Sequence, residues 1–493
     1  MFSRRFTKYF REGEAPVLQG ARNPFCALEI HVGWKSIAAG GGPPYSGCPN
    51  GQCNSKPSPG DGAQRTPGWG MSLWAFRFLL WYICILFVQP QNRFTFLWPL
   101  RIANLSFIIA TCLHVLSCLE SRRPLVRMGP GTMTALTLLF FATLSQYFGV
   151  YQVSSAWNPY LDIIVKNSLL LIMIEAMAFS VERVWAVQMT MLFSTLWWVK
   201  GGLRLSALGA TYGGDRLMGA AVSLIENPNG FAYMMCVFLP LYLYAYQRAT
   251  RGWIRWSFLA CAVAAVWIVF ETGSRTGLVT LIAIGIFLLP HYAGHRWKTL
   301  VLVAVAVAFL YPLTGEKNRA RFRTIPLSFV AFFGSDESPE RGPRSQDEQS
   351  ADERQAKNRD TWALIKENLV FGVGVNPDSS KYVDRFPMAS GQVHCEILMA
   401  GRQMGVIGMG MYAGFIGIIF FGGWWVRRKA ADWPAVRDLG WTFQLQAVAI
   451  VVGGAFSPLP WHPPMMIMAG SVSALVHVLK EEQAAKMERL AGY

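Results

Sequence analysis

The sequence predicts an all-α polytopic membrane protein of about twelve transmembrane helices, with a large extracytoplasmic loop between helices nine and ten. Of its 493 residues, 53% are hydrophobic and only 15% are charged, a balance too apolar for a soluble domain of this size. Apolar windows of about 18 or more residues recur, the length that crosses a hydrocarbon core about 30 Å thick. Trp197 and Trp198 lie near the end of one such window, as in an interfacial aromatic belt.

The apolar windows divide the chain into five predicted segments. Residues 1–70 are rich in Gly, Pro, Ser and Arg and have no periodicity, which indicates a disordered cytoplasmic tail. Met71 opens the first apolar window, so a start codon at Met71 is an alternative. The other segments are transmembrane helices one to nine (71–314), an extracytoplasmic catalytic loop (315–403), helices ten to twelve (404–480) and a cytoplasmic tail (481–493).

The predicted helices follow one another with short connections, apart from the loop before helix ten. They cover roughly 72–89, 96–118, 131–150, 160–180, 183–200, 228–247, 253–272, 276–291, 298–314, 404–426, 438–457 and 463–480. Within the long loop, alternating charges between Ser335 and Arg359 indicate a solvated and mobile stretch.

The net charge of +16 has a topological explanation. Most basic residues lie in alternate short connections, which fits the positive-inside bias and predicts that both termini are cytoplasmic. The charge therefore calls for no nucleic-acid partner. This orientation leaves Arg204, Arg216 and Arg275 on the outer side, where the bias does not explain them.

Two outer arginines have the surroundings of an anion site. Arg216 follows Gly213-Gly214-Asp215 and offers a planar fork of donors to a phosphate; the alternative is a pair with Asp215 in a glycine-rich turn. Arg275 opens helix eight, where its guanidinium and the free backbone donors can converge on an anion such as a diphosphate. The alternative for Arg275 is snorkelling to the outer headgroups.

His394 is the histidine placed to do chemistry, just ahead of helix ten. Its imidazole could take a proton from an acceptor hydroxyl, and the alternative is a lone interfacial histidine. Glu396 could orient that ring or bind sugar. No Asp-x-Asp occurs in the chain, and His291 and His295 lie in a basic connection without a carboxylate motif, so we expect no metal and no other cofactor.

Six motifs, taken in order, resemble the O-antigen ligase/O-antigen polymerase superfamily of bacterial envelope glycosyltransferases. They are Asn227-Pro-Asn-Gly-Phe-Ala232, Ser274-Arg-Thr-Gly277, Arg359-Asp-Thr-Trp362, Phe371-Gly-Val-Gly374, His394-Cys-Glu-Ile-Leu398 and Gly405-Val-Ile-Gly408. The family usually has Asn after the histidine and an aromatic residue two further on, whereas this chain has Cys395 and Ile397.

The resemblance implies transfer of a glycan from a polyprenyl-diphosphate carrier to a glycan, lipid or protein hydroxyl, without nucleotide or metal. It places the chain in the bacterial inner membrane among membrane lipids, with the chemistry at the outer face. It implies that Arg216 and Arg275 clamp the diphosphate, that His394 is the base, and that other residues bind substrate: Arg359, Arg204 and Glu396.

Several functions stay open within and beyond the family. Ligation to a lipid core, repeat-unit polymerisation and transfer to a protein Ser or Thr are alternatives, and Arg323 with Gly334 fits a polymerase-associated Arg-x10-Gly pattern. A twelve-helix secondary transporter would use intramembrane charges, for which Asp162, Lys166 and Glu175 are the candidates. A purely structural or assembly protein is the remaining possibility.

Overall fold

The structure, a computed structural model, is helical throughout most of the part that it describes. It describes residues 69–151, 160–209, 211–212, 216–217, 219, 227–292, 301, 305, 308, 311–323, 346–377, 379–390, 393–457 and 460–491. The predicted tail (1–70) lies outside the described residues except for its last two positions, and the predicted ninth helix (298–314) lies mostly outside them.

The described helices alternate in direction along the chain. They are α1 (Trp69–Val88), α2 (Ile102–Ser121), α3 (Pro130–Phe148), α4 (Lys166–Met177), α5 (Val181–Ala207), α6 (Pro228–Arg248), α7 (Gly252–Glu271), α8 (Arg275–Tyr292), α9 (Glu316–Arg323), α10 (Gln346–Glu367), α11 (Glu396–Lys429), α12 (Pro434–Gly454) and α13 (Pro463–Ala491). A π-helical turn (Tyr160–Val165) precedes α4, and β1 (Thr211–Tyr212) pairs antiparallel with β2 (Arg216–Leu217).

The all-α membrane class is confirmed. Among the described residues, five helices are long and apolar enough to cross a membrane, and they belong to α1, α2, α7, α11 and α13. The total of twelve spans and the place of the long loop stay predictions.

Helix α6 is the centre of the bundle. Every residue from Pro228 to Tyr246 except Asn229 is buried, and α6 packs against α5, α7, α8 and α12. Asn227 caps its first turn by accepting from the Gly230 N–H at 2.7 Å, and Pro228 occupies the first helical position, where no N–H is needed. The predicted start of this helix at residue 228 is therefore confirmed.

The ends of the bundle are distinguished by hydrogen bonds between helices. At the end where α6 begins, which we call the site end, the Ser145 hydroxyl near the end of α3 donates to the Gln403 carbonyl at 2.6 Å. At the opposite end, Arg248 of α6 donates to the Asp438 carboxylate of α12. Arg183 also lies at this opposite end, 3.9 Å from the centre of the Phe179 ring.

Helix α11 consists of two legs joined by a sharp break. Met404 and Gly405 have non-helical backbone angles, and Gly405 has a φ of 63°. The first leg (396–403) folds back on the second (406–429). The close approach of the two legs is seen at Gly408, where an added Cβ would lie 2.3 Å from the Ala400 carbonyl oxygen. The predicted start of helix ten at residue 404 therefore falls on the break, and the first leg is an additional helical segment.

The loop before α11 closes this break with backbone hydrogen bonds. The N–H groups of Val373 and Gly374 donate to the Arg402 and Gln403 carbonyls at 2.8 and 3.2 Å, which satisfies the end of the first leg. The Val406 N–H, at the start of the second leg, donates to the Leu369 carbonyl at 2.8 Å. The two glycine motifs of the sequence thus pack against one another.

The charged stretch between Ser335 and Arg359, expected to be solvated and mobile, is helical from Gln346 onward as the first part of α10. Its side chains from residue 352 to residue 359 are exposed or half-buried, as expected for a solvated stretch. One expectation for the connections was wrong: Arg204 does not lie in a loop, because α5 continues to Ala207 and carries Arg204 in its last turn.

Candidate active site

Arg216 is held at the site end by two neighbouring elements. Its Nε donates to the Thr272 carbonyl at 2.9 Å, and its Nη2 donates to the Asn229 side-chain oxygen at 2.6 Å. Thr272 follows α7 directly, whereas Asn229 lies in the first turn of α6. The guanidinium is half-buried, so it is both oriented and accessible.

The turn between α7 and α8, which carries Arg275, contacts the same Asn229 side chain as this guanidinium. Ser274 donates its hydroxyl to the same Asn229 oxygen at 3.0 Å, and its Oγ accepts from the Gly277 N–H at 3.3 Å, which caps α8. Arg275 is the first residue of α8, as the sequence predicts, and is half-buried. We call Arg216, Asn229, Ser274 and Arg275 the arginine corner.

Helix α9 adds further cations to the edge of the arginine corner. The Asn318 side-chain amide donates to the Glu271 carbonyl at 3.1 Å, which fixes α9 against the end of α7. The neighbouring Arg319 is half-buried, and its Nε is buried without a hydrogen-bond partner within the described part of the chain. A buried donor of this kind is costly unless an acceptor reaches it, so Arg319 is suited to receive an anionic ligand.

His394 lies two residues before the first leg of α11 and near charged residues of α10. Burial and the positive charges of Arg354 and Lys357 lower the pKa of His394 to about 4, while Glu353 acts in the opposite direction. Lys357 also pairs with Glu353 at 2.6 Å. The imidazole is therefore neutral at ordinary pH and able to accept a proton.

One turn of α6 joins the arginine corner to the His394 segment. Asn229 accepts from Arg216, and Tyr233, four residues later on the same face, donates to the Glu396 carboxyl at 3.5 Å. Residues four apart on a helix lie about 6 Å from one another along its axis. The cationic corner and the leg that carries His394 therefore lie side by side.

The remaining predicted site residues differ from one another in exposure. Arg204 is exposed in the last turn of α5, and Arg359 is exposed on α10. Glu396 was expected to orient the His394 ring or bind sugar, but it is completely buried and its carboxyl faces Tyr412 and Tyr233. Full burial of this carboxyl disfavours direct contact with substrate, and the substrate-binding role of Glu396 stays a prediction.

Sequence reasoning missed the residues whose proximity depends on the tertiary fold. Arg354 and Lys357 belong to a run that looks like a solvated charge pattern, and only the packing of α10 against α11 brings them to His394. Arg319 lies four residues before Arg323, which the sequence analysis considered for another reason. Among the described residues, no group of three His, Cys, Asp or Glu side chains could hold a metal ion.

Comparison with known protein families gives one match over the part of the chain that carries this site. Residues 260–413 match the family model described as O-antigen ligase. Over these residues the chain is similar to the O-antigen ligase family. The matched residues include the α7–α8 turn with Arg275, helices α9 and α10, His394 and the break in α11, whereas Arg216 precedes them.

The matched family is one of glycosyltransferase-type enzymes of surface polysaccharide biosynthesis that work with lipid-linked glycans and acceptors. The apolar helices indicate that this chain is a multi-pass membrane protein. No curated protein matches the chain.

Proposed function

We propose that this protein transfers a glycan from a polyprenyl-diphosphate carrier to an acceptor hydroxyl at the outer face of the bacterial inner membrane. The observation that supports it best is the placement of the arginine corner and the His394 leg against one turn of α6. Two half-buried guanidiniums suit a diphosphate, and a neutral imidazole suits an attacking hydroxyl. The two chemical requirements of the reaction then meet at one place.

The transfer proceeds by displacement at the anomeric carbon. The acceptor oxygen forms the new glycosidic bond while the carbon–oxygen bond to the diphosphate breaks, and the leaving diphosphate keeps the electron pair. Arg216 and Arg275 stabilise the negative charge that develops there, and their fixed positions lower the barrier. His394 accepts the hydroxyl proton and later releases it to water. No step draws on a metal ion or a nucleotide.

The cations beside His394 match an anionic donor. Before substrate binds, Arg354 and Lys357 oppose protonation of the imidazole, so His394 waits as the free base. A bound diphosphate would offset those positive charges, which makes proton uptake by His394 easier when the acceptor attacks. Arg359 and Arg204, both exposed, would bind sugars of the glycan in this proposal.

The transporter alternative loses its candidate residues. Asp162 and Lys166 form an exposed ion pair four residues apart, on the surface of their own helix. Glu175 is fully buried at the start of α3, where its carboxylate accepts from the Thr132 N–H at 2.7 Å and the Ser473 hydroxyl at 2.7 Å. These contacts give the three residues structural roles.

Ligase and polymerase activities are separated by their products. Purified protein incubated with a polyprenyl-diphosphate-linked oligosaccharide and an acceptor lipid should transfer one glycan per acceptor if it is a ligase. A ladder of lengthening glycans on the carrier lipid would identify a polymerase. No new glycosidic bond with any acceptor would overturn the proposal and favour transport.

A further inference from the structure

A chain of buried polar groups beneath His394 is not used by the proposed chemistry. Its members are Glu396 in the first leg of α11, Tyr412 in the second leg, Tyr233 in α6 and His462 just before α13. All four are buried, and His462 is only 2% exposed. Polar groups are costly to bury, so a connected set of this kind indicates a specific task.

The bond between Glu396 and Tyr412 spans the break in α11. In a straight helix these residues, 16 positions apart, would be separated by about 24 Å along the axis. Here the Tyr412 hydroxyl donates to the Glu396 Oε2 at 2.5 Å. The bond therefore exists only while the first leg is folded back on the second.

His462, at one end of this chain of groups, determines which atoms donate and which accept in its hydrogen bonds. The Met465 N–H donates to the Nδ1 of His462 at 3.2 Å, so the Nε2 of the neutral ring carries the proton. That Nε2 donates to the Tyr233 oxygen at 3.2 Å, which leaves the Tyr233 hydroxyl to donate to the Glu396 Oε2 at 3.5 Å. Glu396 is thus an acceptor for two tyrosines from two different helices.

The surrounding backbone leaves space for this arrangement. Gly454, the last residue of α12, faces it, and a Cβ there would lie 2.7 Å from the Tyr412 hydroxyl and 2.8 Å from the Glu396 Oε2. The absence of a side chain at this position lets the carboxyl and the phenol meet. Cys395, between His394 and Glu396, is only 7% exposed, so the start of the leg is packed.

We propose that Glu396 is a positioning residue that fastens the start of the first leg to Tyr412 and Tyr233, and thereby holds His394 beside the arginine corner. Tyr233 connects Glu396 to the arginine corner, since it bonds Glu396 and lies one turn from Asn229, which orients Arg216. Glu396 acts through His394 and touches no substrate. The inference rests on the proposed transferase function.

The test compares three variants with a matched control, each in the full-length protein in detergent or nanodiscs. Glu396→Ala removes both hydrogen bonds, Tyr412→Phe removes one, and Glu396→Gln keeps an oxygen that can accept both. Tyr242→Phe is the control, because Tyr242 is a fully buried phenol of α6 whose hydroxyl bonds Thr195 at 2.9 Å and not the leg.

Two readouts are measured. The first is kcat and KM for glycan transfer. The second is the rate at which a small maleimide alkylates Cys395, followed by mass spectrometry of its peptide. Burial raises the pKa of the Cys395 thiol and protects it, so loosening of the leg should speed its alkylation whether or not the enzyme turns over.

We expect Glu396→Ala and Tyr412→Phe to lower kcat by about tenfold or more, with the donor KM within about twofold, because a small displacement of a catalytic group slows the chemical step. Cys395 alkylation should accelerate in both. Glu396→Gln and Tyr242→Phe should match the wild-type protein in both readouts.

Three results would overturn the inference: unchanged kcat in Glu396→Ala and Tyr412→Phe, unchanged protection of Cys395 in these variants, or a Glu396→Gln variant as impaired as Glu396→Ala. Failure of the proposed function has a different signature, which is absence of transfer by the wild-type protein. In that case, the alkylation rates still decide whether Glu396 fastens the leg.

Discussion

His394 has a lowered proton affinity because it is buried and lies near cations of α10, which are distant from it in sequence. Burial and the charges of Arg354 and Lys357 lower its pKa to about 4. A base must be unprotonated to work, so activity should persist well below the pH at which an ordinary histidine, with a pKa of about 6.5, becomes charged.

The pH dependence of transfer tests this assignment. We expect kcat/KM to stay level from about pH 8 to pH 5 and to fall as the pH drops through about 4. Arg354→Gln removes one opposing charge, raises the pKa of His394 and moves the acid limb to higher pH. An acid limb near 6.5 in the wild-type enzyme, or one that Arg354→Gln leaves in place, would contradict the account.

Arg319 is the second residue whose role depends on its surroundings. Its Nε is buried and has no partner in the described part of the chain, and α9 holds it beside the turn that carries Arg275. If it binds the diphosphate, Arg319→Ala should raise the donor KM by about tenfold, the value of a charge-assisted hydrogen bond. Arg323→Ala, an exposed arginine of the same helix, is the control and should leave KM unchanged.

At the scale of elements, the sequence predicts those helix starts that local signals determine. Asn227 and Pro228 mark the start of α6, and Ser274 with Arg275 marks the start of α8, because a cap and a first turn depend on neighbouring residues only. The first leg of α11 is different. It looks like an approach to helix ten, and its fold-back depends on contacts with the loop at 369–374.

Gly405 is the residue on which the break in α11 depends. Its φ of 63° disfavours any L side chain by about 1–2 kcal/mol, and a Cβ would lie 2.0 Å from the Leu369 carbonyl oxygen. Gly405→Ala should therefore lower the thermal unfolding temperature and reduce transfer. Gly410→Ala, in the second leg with nothing within 4 Å of the added Cβ, should do neither. Equal stability of the two variants would contradict the fold-back.

At the scale of the whole molecule, the two ends of the bundle carry different chemistry. The site end gathers arginines that are oriented by neutral side chains and carbonyls, and the opposite end pairs its arginines with acids and aromatic rings, as Arg248 does with Asp438. The sequence indicates this division through the positive-inside bias. It cannot indicate that Arg216 and the turn carrying Arg275 come together, because Arg216 and Ser274 both bond Asn229 of a third element, α6.

Glu175 stabilises the bundle at the end opposite the site. Its carboxylate accepts three hydrogen bonds, two of them from Thr132 and one from Ser473. Glu175→Ala leaves these donors buried without a partner, so we expect a loss of about 1–3 kcal/mol in the free energy of unfolding. Asp162→Asn, at an exposed ion pair, should cost less than about 1 kcal/mol. Equal unfolding midpoints for both variants would exclude this structural role for Glu175.

The most direct test of the central claim is glycan transfer by the purified protein and by its His394→Ala variant, with a polyprenyl-diphosphate-linked oligosaccharide as donor. The wild-type protein should form a new glycosidic bond and release polyprenyl diphosphate. A His394→Ala variant with unchanged unfolding temperature should be slower by about 10²-fold or more. Transfer by that variant at the wild-type rate would contradict the assignment of His394 as the base, and absence of transfer by the wild-type protein would contradict the proposed function itself.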